Sequence, residues 1–107
     1  MEKILRCAYP VLPVLVIDDV ERAVGLAHAL CAGGLNVIEV TLRTPQALEA
    51  LKVIRQEVPD LIVGAGTVIN AEQFGQAIAA GAQFAVSPGF TERLWQAAKE
   101  VDLPYLP

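Results

Sequence analysis

Residues 37 to 45 read Val37-Ile38-Glu39-Val40-Thr41-Leu42-Arg43-Thr44-Pro45. Side chains along a β-strand alternate between its two faces. This alternation separates an apolar face from a polar face. The apolar set is Ile38, Val40 and Leu42, and the polar set is Glu39, Thr41 and Arg43. Strands between helical segments are usually apolar on both faces, so a row of charged and hydroxyl side chains on this strand requires an explanation.

Four other segments have the composition of β-strands. Val11–Ile17 predicts a buried first strand, with Pro13 near its start, and Leu61–Thr67 predicts the third strand. Gln83–Val86 predicts a short fourth strand, and Leu103–Pro107 predicts the beginning of a fifth. The segment at 37–45 is the second strand in this order.

The segments between these strands carry apolar residues at helical spacing. The expected inward positions are Val20, Ala23, Val24, Ala27, Leu30 and Cys31; Leu48, Leu51, Ile54 and Val58; Phe74, Ala77 and Ile78; and Leu94, Trp95, Ala98 and Val101. The expected N-cap residues are Asp18 or Asp19, Thr44 with Pro45 as first helical residue, Asn70 with Gln73 in a capping box, and Thr91. Four helices are therefore predicted.

The predicted order is βαβαβαβα plus the start of a strand, which indicates an α/β protein with a parallel sheet and right-handed crossovers. Two architectures fit this order. One is (βα)4, half of a (βα)8 TIM barrel, and the other is a doubly wound, flavodoxin-like open sheet. The polar row favours the half-barrel, because barrel enzymes carry their chemistry at the carboxyl ends of strands. At 107 residues we expect a single domain over 1–107.

Composition excludes several classes of partner. Hydrophobic residues make up 54% of the chain, which predicts a packed domain and not a disordered one. The net charge is −4 without clustered lysine or arginine, which argues against nucleic acid and anionic membrane partners. No apolar run reaches the roughly 18 residues needed to span a bilayer. Cys7 and Cys31 form no CxxC motif, which is typical of reduced thiols in a cytoplasmic protein.

Glu39 and Arg43 are the main candidates for chemistry. A carboxylate inside an apolar strand is costly unless it is paired or reaches a wet cavity. Glu39 is therefore either a general base at a pocket or the partner of Arg43 in a structural ion pair. Arg43 itself fits bidentate binding of a carboxylate or phosphate, and a solvated loop charge is the alternative. Four residues of extended strand span about 13 Å, so both can contact one ligand only if the chain turns after Thr41.

Two later segments also end predicted strands. Gly64-Ala65-Gly66-Thr67 could let a ligand approach the backbone, with Thr67 adding a hydroxyl, but alone it is more typical of a tight turn. Ser87-Pro88-Gly89 is likewise explained by turn chemistry alone. His28 has no metal-ligating neighbours in its predicted helix, so we expect it to have a surface or packing role. Lys3, Lys52 and Lys99 fall in the N-terminal segment and two helices, and none is at a strand end.

Five segments together resemble the N-terminal half of a known family, the 2-keto-3-deoxy-6-phosphogluconate (KDPG) and 4-hydroxy-2-oxoglutarate aldolases. They are Pro13–Val16, Ala32–Gly34, Ile38–Thr44, Ile62–Val68 and Gly81–Gly89. The resemblance implies a class I lyase on a (βα)8 barrel, which forms a Schiff base with its keto-acid substrate and needs no metal or cofactor. KDPG is cleaved to pyruvate and glyceraldehyde 3-phosphate. The segment Thr41-Leu42-Arg43-Thr44 is more similar to the motif of the gluconate enzymes than to that of the galactonate enzymes.

The resemblance also implies roles for four residues. Glu39 matches the proton-shuttling base, Arg43 matches the arginine near the pyruvyl carboxylate, and Thr67 and Pro88 match residues that line the pyruvyl end of the pocket. The family's Schiff-base lysine lies on strand six and its phosphate loops follow strands seven and eight, so this chain has neither. We therefore expect a truncated chain with negligible aldolase activity.

Exposed sheet edges invite pairing. We therefore expect homo-oligomers: paired half-barrels if the chain is truncated, and a trimer, as the family resemblance implies, if it is full-length. One alternative is a non-catalytic half-barrel scaffold, natural or engineered, that self-associates. A small phosphosugar-binding module is a further alternative, which the lack of a phosphate-binding loop disfavours.

Overall fold

Five parallel strands form one sheet in the order β1-β2-β3-β4-β5. A computed structural model describes residues 1–107. The strands are β1 Val14–Leu15, β2 Val37–Thr41, β3 Ile62–Gly66, β4 Ala85–Val86 and β5 Tyr105–Leu106. The helices are α1 Glu2–Ala8, α2 Val20–Ala32, α3 Ala47–Glu57, α4 Ala71–Ala80 and α5 Glu92–Glu100. One helix connects each strand to the next, so the predicted alternation of strands and helices is confirmed.

The sequential strand order identifies the architecture. Right-handed crossovers that always advance in the same direction place all their helices on one face of the sheet. The main core lies on that face, where the apolar side chains of β2 and β3 pack against α2, α3, α4 and α5. A doubly wound sheet reverses its strand order at a switch point, and this sheet does not. The half-barrel prediction is confirmed, and the flavodoxin-like alternative is wrong.

The opposite face of the sheet, which we call the inner face, follows from the strand register. Residues paired in register lie on the same side of a sheet. Val14 pairs with Glu39, Glu39 with Gly64, and Thr41 with Gly66. The inner face therefore comprises Val14, Val16, Val37, Glu39, Thr41, Ile62, Gly64, Gly66, Phe84, Val86 and Leu106. It corresponds to the lumen side of a barrel.

Helix α1 covers the amino-terminal end of the inner face and was not predicted. Its buried Ala8 forms a second small core with Val37 and Phe84, and Met1 and Ile4 pack against that core. The spacing of Met1, Ile4 and Ala8 is helical, but only seven residues are involved. Its partners Val37 and Phe84 lie far along the chain, so tertiary packing stabilises this helix.

Three of the predicted helix caps are confirmed by hydrogen bonds. Asp19 accepts from the Glu21 amide at 3.0 Å, Asn70 from the Gln73 amide at 2.9 Å, and Thr91 from the Leu94 amide at 3.1 Å. Each bond satisfies one of the free amides of a helix N-terminus.

The prediction that Thr44 caps α3 is wrong. Its hydroxyl donates to the Ile17 carbonyl oxygen at 2.6 Å, and α3 begins at Ala47, after Pro45 and Gln46. The hydroxyl therefore connects the loop after β2 to the loop after β1, where it helps to hold the ends of two neighbouring strands together.

Several burial predictions are also wrong. The first strand is neither long nor buried, because only Val14–Leu15 pairs and Val14 and Val16 are each 58% exposed. These two side chains lie on the uncovered inner face. Ile78 and Trp95 were expected to point inward but are 40% and 37% exposed, at the margins of their helices. No helix is both long enough and apolar enough to cross a membrane.

Candidate active site

Glu39 lies on the inner face, in the middle of the central strand pair. It is only 6% exposed, although this face carries no layer of helices over most of its area. Its neighbours Ile38 and Val40 point the other way, into the main core. The predicted division of β2 into an apolar face and a polar face is therefore confirmed.

No ion pair forms between Glu39 and Arg43. The only salt bridges within 4.0 Å are Arg6–Glu2 and Arg22–Asp19, both on the surface. Glu39 also has no side-chain hydrogen bond to another residue, since none of the side-chain bonds in the structure involves it. The interpretation of Glu39 as the buried half of a structural ion pair is wrong.

Burial raises the pKa of the Glu39 carboxyl above its ordinary value of 4.5, and the positive charge of Arg43 partly offsets this effect. Removal from water disfavours the charged form of a carboxyl, whereas a nearby cation favours it. A raised pKa moves a carboxyl toward the range in which it can both accept and return a proton near neutral pH. A perturbed, unpaired carboxyl of this kind is a candidate functional group.

Arg43 lies in the turn that follows β2, and its side chain is exposed. The strand ends at Thr41, so the separation expected for a fully extended segment does not apply. The turn is fixed by the Leu42 amide, which donates to the Gly66 carbonyl oxygen at 2.8 Å. Arg43 therefore holds an unpaired guanidinium at the carboxyl end of the strand that carries Glu39, and can offer two N–H groups to an anion.

Thr41, the third polar residue of the row, has a structural partner. Its hydroxyl donates to the Leu15 carbonyl oxygen at 3.0 Å, and the residue is 1% exposed. Thr41 and Thr44 thus both fasten β2 to the segment of β1. The hydroxyl at position 41 is therefore occupied by a backbone contact.

Thr67 and Pro88 follow directly after the ends of β3 and β4. Thr67 is half-buried and has a backbone φ of +58°, a left-handed conformation that is strained for a β-branched residue. Pro88 is exposed, and the adjacent Ser87 donates to the Val68 carbonyl oxygen at 2.5 Å. Because neighbouring parallel strands end at the same edge of a sheet, both residues lie on the edge at which Arg43 is found.

The two glycines of β3 have a role that the sequence interpretation missed. Gly64 and Gly66 belong to an extended strand, so the prediction of a tight turn at Gly64–Thr67 is wrong. A Cβ atom on Gly64 would collide with the ring of Phe84, and one on Gly66 would collide with the Glu39 side chain. These positions make room for neighbouring side chains. The sequence feature that could have indicated this role is the spacing of Gly64 and Gly66, which places both glycines on one face of a strand next to the strand that carries Glu39.

The lysines lie where the sequence predicted. Lys3 is in α1, Lys52 in α3 and Lys99 in α5, where its ammonium lies 5.3 Å from the centre of the Trp95 ring. None is on the inner face. His28 is exposed on α2, and no group of three or more histidine, cysteine, aspartate or glutamate side chains is placed to hold a metal ion.

The family model "Aldolase: KDPG and KHG aldolase" matches residues 1–107. The chain belongs to this family. It is 58% identical to the 2-dehydro-3-deoxy-phosphogluconate aldolase of Dickeya dadantii, over 99% of this chain and 49% of that protein. It is 54% identical to the KHG/KDPG aldolase of Escherichia coli K12, over 92% of this chain and 46% of that protein. The chain spans about half the length of these relatives.

Two crystal structures of family members have the same architecture. The KDPG aldolase of Zymomonas mobilis with 3-phosphoglycerate is 55% identical with a TM-score of 0.93, and the match covers 99% of this chain and 50% of that one. The Legionella pneumophila enzyme, with pyruvate captured as a covalent carbinolamine, is 50% identical with a TM-score of 0.90, covering 94% and 49%. The resemblance described above is confirmed at the level of family and fold.

Proposed function

We propose that residues 1–107 are the single-domain amino-terminal half of a class I aldolase that cleaves KDPG to pyruvate and glyceraldehyde 3-phosphate. In this proposal Glu39 transfers protons, Arg43 binds the pyruvyl carboxylate, and Thr67 and Pro88 line the pyruvyl end of the pocket. The observation that carries it is the Glu39 carboxyl, which is buried on the inner face without an ionic or hydrogen-bonding partner. Membership of the aldolase family supports the reaction class.

The proposed chemistry assigns two proton transfers to one carboxyl. Cleavage removes a proton from the hydroxyl next to the breaking carbon–carbon bond, and the bonding electrons flow into the imine formed with the keto group. The resulting enamine then takes a proton at the carbon that becomes the methyl group of pyruvate. A single carboxyl that first accepts a proton and then returns it balances both steps, and a raised pKa suits this alternation.

The proposed binding partners are small keto acids, and the proposed location is the cytoplasm. The exposed guanidinium of Arg43 supports the recognition of a carboxylate. Cys7 and Cys31 are free thiols, which supports a reducing compartment.

Borohydride trapping of pyruvate on the 107-residue polypeptide is expected to give negligible adduct. The reason is that its three lysines are on helices and none is placed on the inner face beside Glu39. Intact-mass measurement after reduction would report the adduct. The Legionella pneumophila enzyme, whose structure holds a carbinolamine of pyruvate, is the positive control. A stoichiometric adduct on Lys3, Lys52 or Lys99 would overturn this expectation.

The alternative proposal is a non-catalytic half-barrel that associates with a second copy. It is supported by the two edge strands, β1 and β5, each of which pairs on one side only. Val14 and Val16 also expose apolar surface on the inner face. Two copies could cover these surfaces by forming an approximate barrel around a two-fold axis. For a full-length barrel the corresponding proposal is a trimer.

Light scattering at low concentration is expected to give twice the monomer mass of 11.4 kDa. The double variant Val14→Lys/Val16→Lys should be monomeric, because it places two charges on the exposed inner side of β1. Val11→Lys is the matched control, since Val11 is 52% exposed but lies before the strand. A well-folded wild-type monomer would count against the paired half-barrel.

A further inference from the structure

The inner face around Glu39 is shaped by two glycines that serve different neighbours. A Cβ atom added to Gly66 would meet Cγ, Cδ and Oε2 of Glu39. A Cβ atom added to Gly64, two residues earlier on the same face, would meet the aromatic ring of Phe84 instead. Gly66 is therefore in direct contact with the carboxyl group, while Gly64 accommodates the small core under α1.

Backbone conformation does not explain the glycine at position 66. The glycines with left-handed φ are Gly34 and Gly81, whereas Gly66 is the last residue of an extended strand. Any residue can adopt that conformation. The reason for glycine at this position is consequently the space above it, which the Glu39 side chain fills.

The strand that carries Gly66 is held in place by its contacts with β2. Gly66 pairs in register with Thr41, and its carbonyl oxygen accepts from the Leu42 amide at 2.8 Å. Its successor Thr67 has a φ of +58°, which constrains the chain immediately after the strand. A side chain at position 66 would therefore displace Glu39 and not the backbone.

We propose that Gly66 is a positioning residue: its missing side chain forms a slot that holds the Glu39 carboxyl against the backbone of β3, on the inner face and largely shielded from water. The importance of this slot for catalysis rests on the proposed function of Glu39. The slot itself is a property of the folded chain and can be measured without any substrate.

The slot accounts for the environment of Glu39. Burial is the dominant influence on its pKa, and the side chain is buried where it lies against Gly66. If alanine fills the slot, the carboxyl must move toward solvent, and its pKa should fall toward the ordinary value of 4.5. A displaced carboxyl would also lie in the wrong place for proton transfer, and a misplacement of about 1 Å can cost about 10²-fold in rate.

The test is carbon-13 NMR titration of Glu39 in the 107-residue chain. Gly66→Ala is expected to lower the Glu39 pKa measurably. Gly64→Ala is the matched control, because it adds the same methyl group to the same strand and face but against Phe84; it should lower stability and change the Glu39 pKa less than Gly66→Ala does, since Gly64 is the register partner of Glu39. An unchanged Glu39 pKa in Gly66→Ala, or an equal change in both variants, would overturn the proposal.

A double-mutant cycle covers the case in which Gly66→Ala folds poorly. Gly66→Ala forces the flexible end of the Glu39 side chain to move, so the substitution should lower Tm by no more than about 4–8 °C, the equivalent of about 1 kcal/mol. In the Glu39→Ala background the site is empty, so the same substitution should leave Tm almost unchanged. An equal loss of Tm in both backgrounds would show that Gly66 does not serve Glu39, and the proposal would fail.

Activity measurements separate this proposal from the proposed function. In a full-length aldolase that contains this segment, Gly66→Ala should lower kcat about 10²-fold and move the acid limb of the pH profile to lower pH. If that full-length protein shows no aldolase activity, the proposed function fails while the NMR and Tm results still decide whether the slot exists.

Discussion

Glutamine at position 39 is expected to lower the kcat of the full-length enzyme about 10²–10⁴-fold, the usual contribution of a positioned general acid or base. Glutamine preserves the size of the side chain and still fits beside Gly66, but it cannot exchange a proton. The rate of pyruvate release from KDPG is the measurement. Glu49→Gln, at an exposed position of α3, is the matched control and should retain full activity. Equal activity of Glu39→Gln and wild type would exclude Glu39 as the base.

The same substitution has an expected effect on stability, with a definite sign. Because burial raises the pKa of Glu39 in the folded state, the folded chain binds more protons than the unfolded chain at pH values just above the ordinary pKa. The contribution of Glu39 to the free energy of unfolding is therefore fully present below its ordinary, unfolded-state pKa. This contribution is lost as the pH rises through the raised pKa of the folded state. Glu39→Gln should remove this loss, so its Tm should exceed that of wild type at neutral pH but not at low pH.

Phe84→Ala is expected to reduce the free energy of unfolding by about 3–5 kcal/mol, the range measured for truncation of a buried phenylalanine. The Phe84 side chain is fully buried and occupies the space above Gly64, where it forms a core with Ala8 and Val37. Because Ala8, Met1 and Ile4 pack on this core, the variant should also loosen α1. A loss of this size is a large share of the 5–15 kcal/mol that is typical of a small domain.

Urea unfolding monitored by circular dichroism would measure the effect of Phe84→Ala. Phe90→Ala is the matched control, because Phe90 is 62% exposed and contacts Trp95 at a ring separation of 6.2 Å. We expect the control to cost less than about 1.5 kcal/mol, the upper end for an aromatic pair. Equal losses in the two variants would contradict the assignment of Phe84 to the core.

The features that could be predicted from sequence are those set by local periodicity and by the right-handed crossover between parallel strands. The alternation around Glu39 predicted both faces of β2, because period-two geometry is a property of any strand. The caps at Asp19, Asn70 and Thr91 were predicted because each makes a bond two or three residues away. The half-barrel was favoured by the position of the polar row and is consistent with right-handed crossovers between sequential strands.

The features that could not be predicted depend on contacts between distant residues. Thr44 followed by Pro45 has the sequence of a helix start, but its hydroxyl bonds to Ile17, 27 residues earlier. The glycines of β3 were interpreted as a turn, since their reason for being glycine lies in the side chains of other strands. The same limit applied to Glu39, for which sequence left two alternatives, a general base or an ion pair with Arg43. The chain turns after Thr41, and Arg43 influences the Glu39 pKa, but no ion pair within 4.0 Å forms.

The most direct test of the account is the exchange of pyruvate methyl protons with solvent deuterium, followed by NMR on the full-length protein. This exchange requires only an imine and a base beside the methyl carbon, so it isolates the role assigned to Glu39. We predict that Glu39→Gln slows exchange at least about 10²-fold while borohydride still traps pyruvate on the protein. Exchange at the wild-type rate in Glu39→Gln would contradict the claim that the buried inner-face carboxyl of this half-barrel moves the proton.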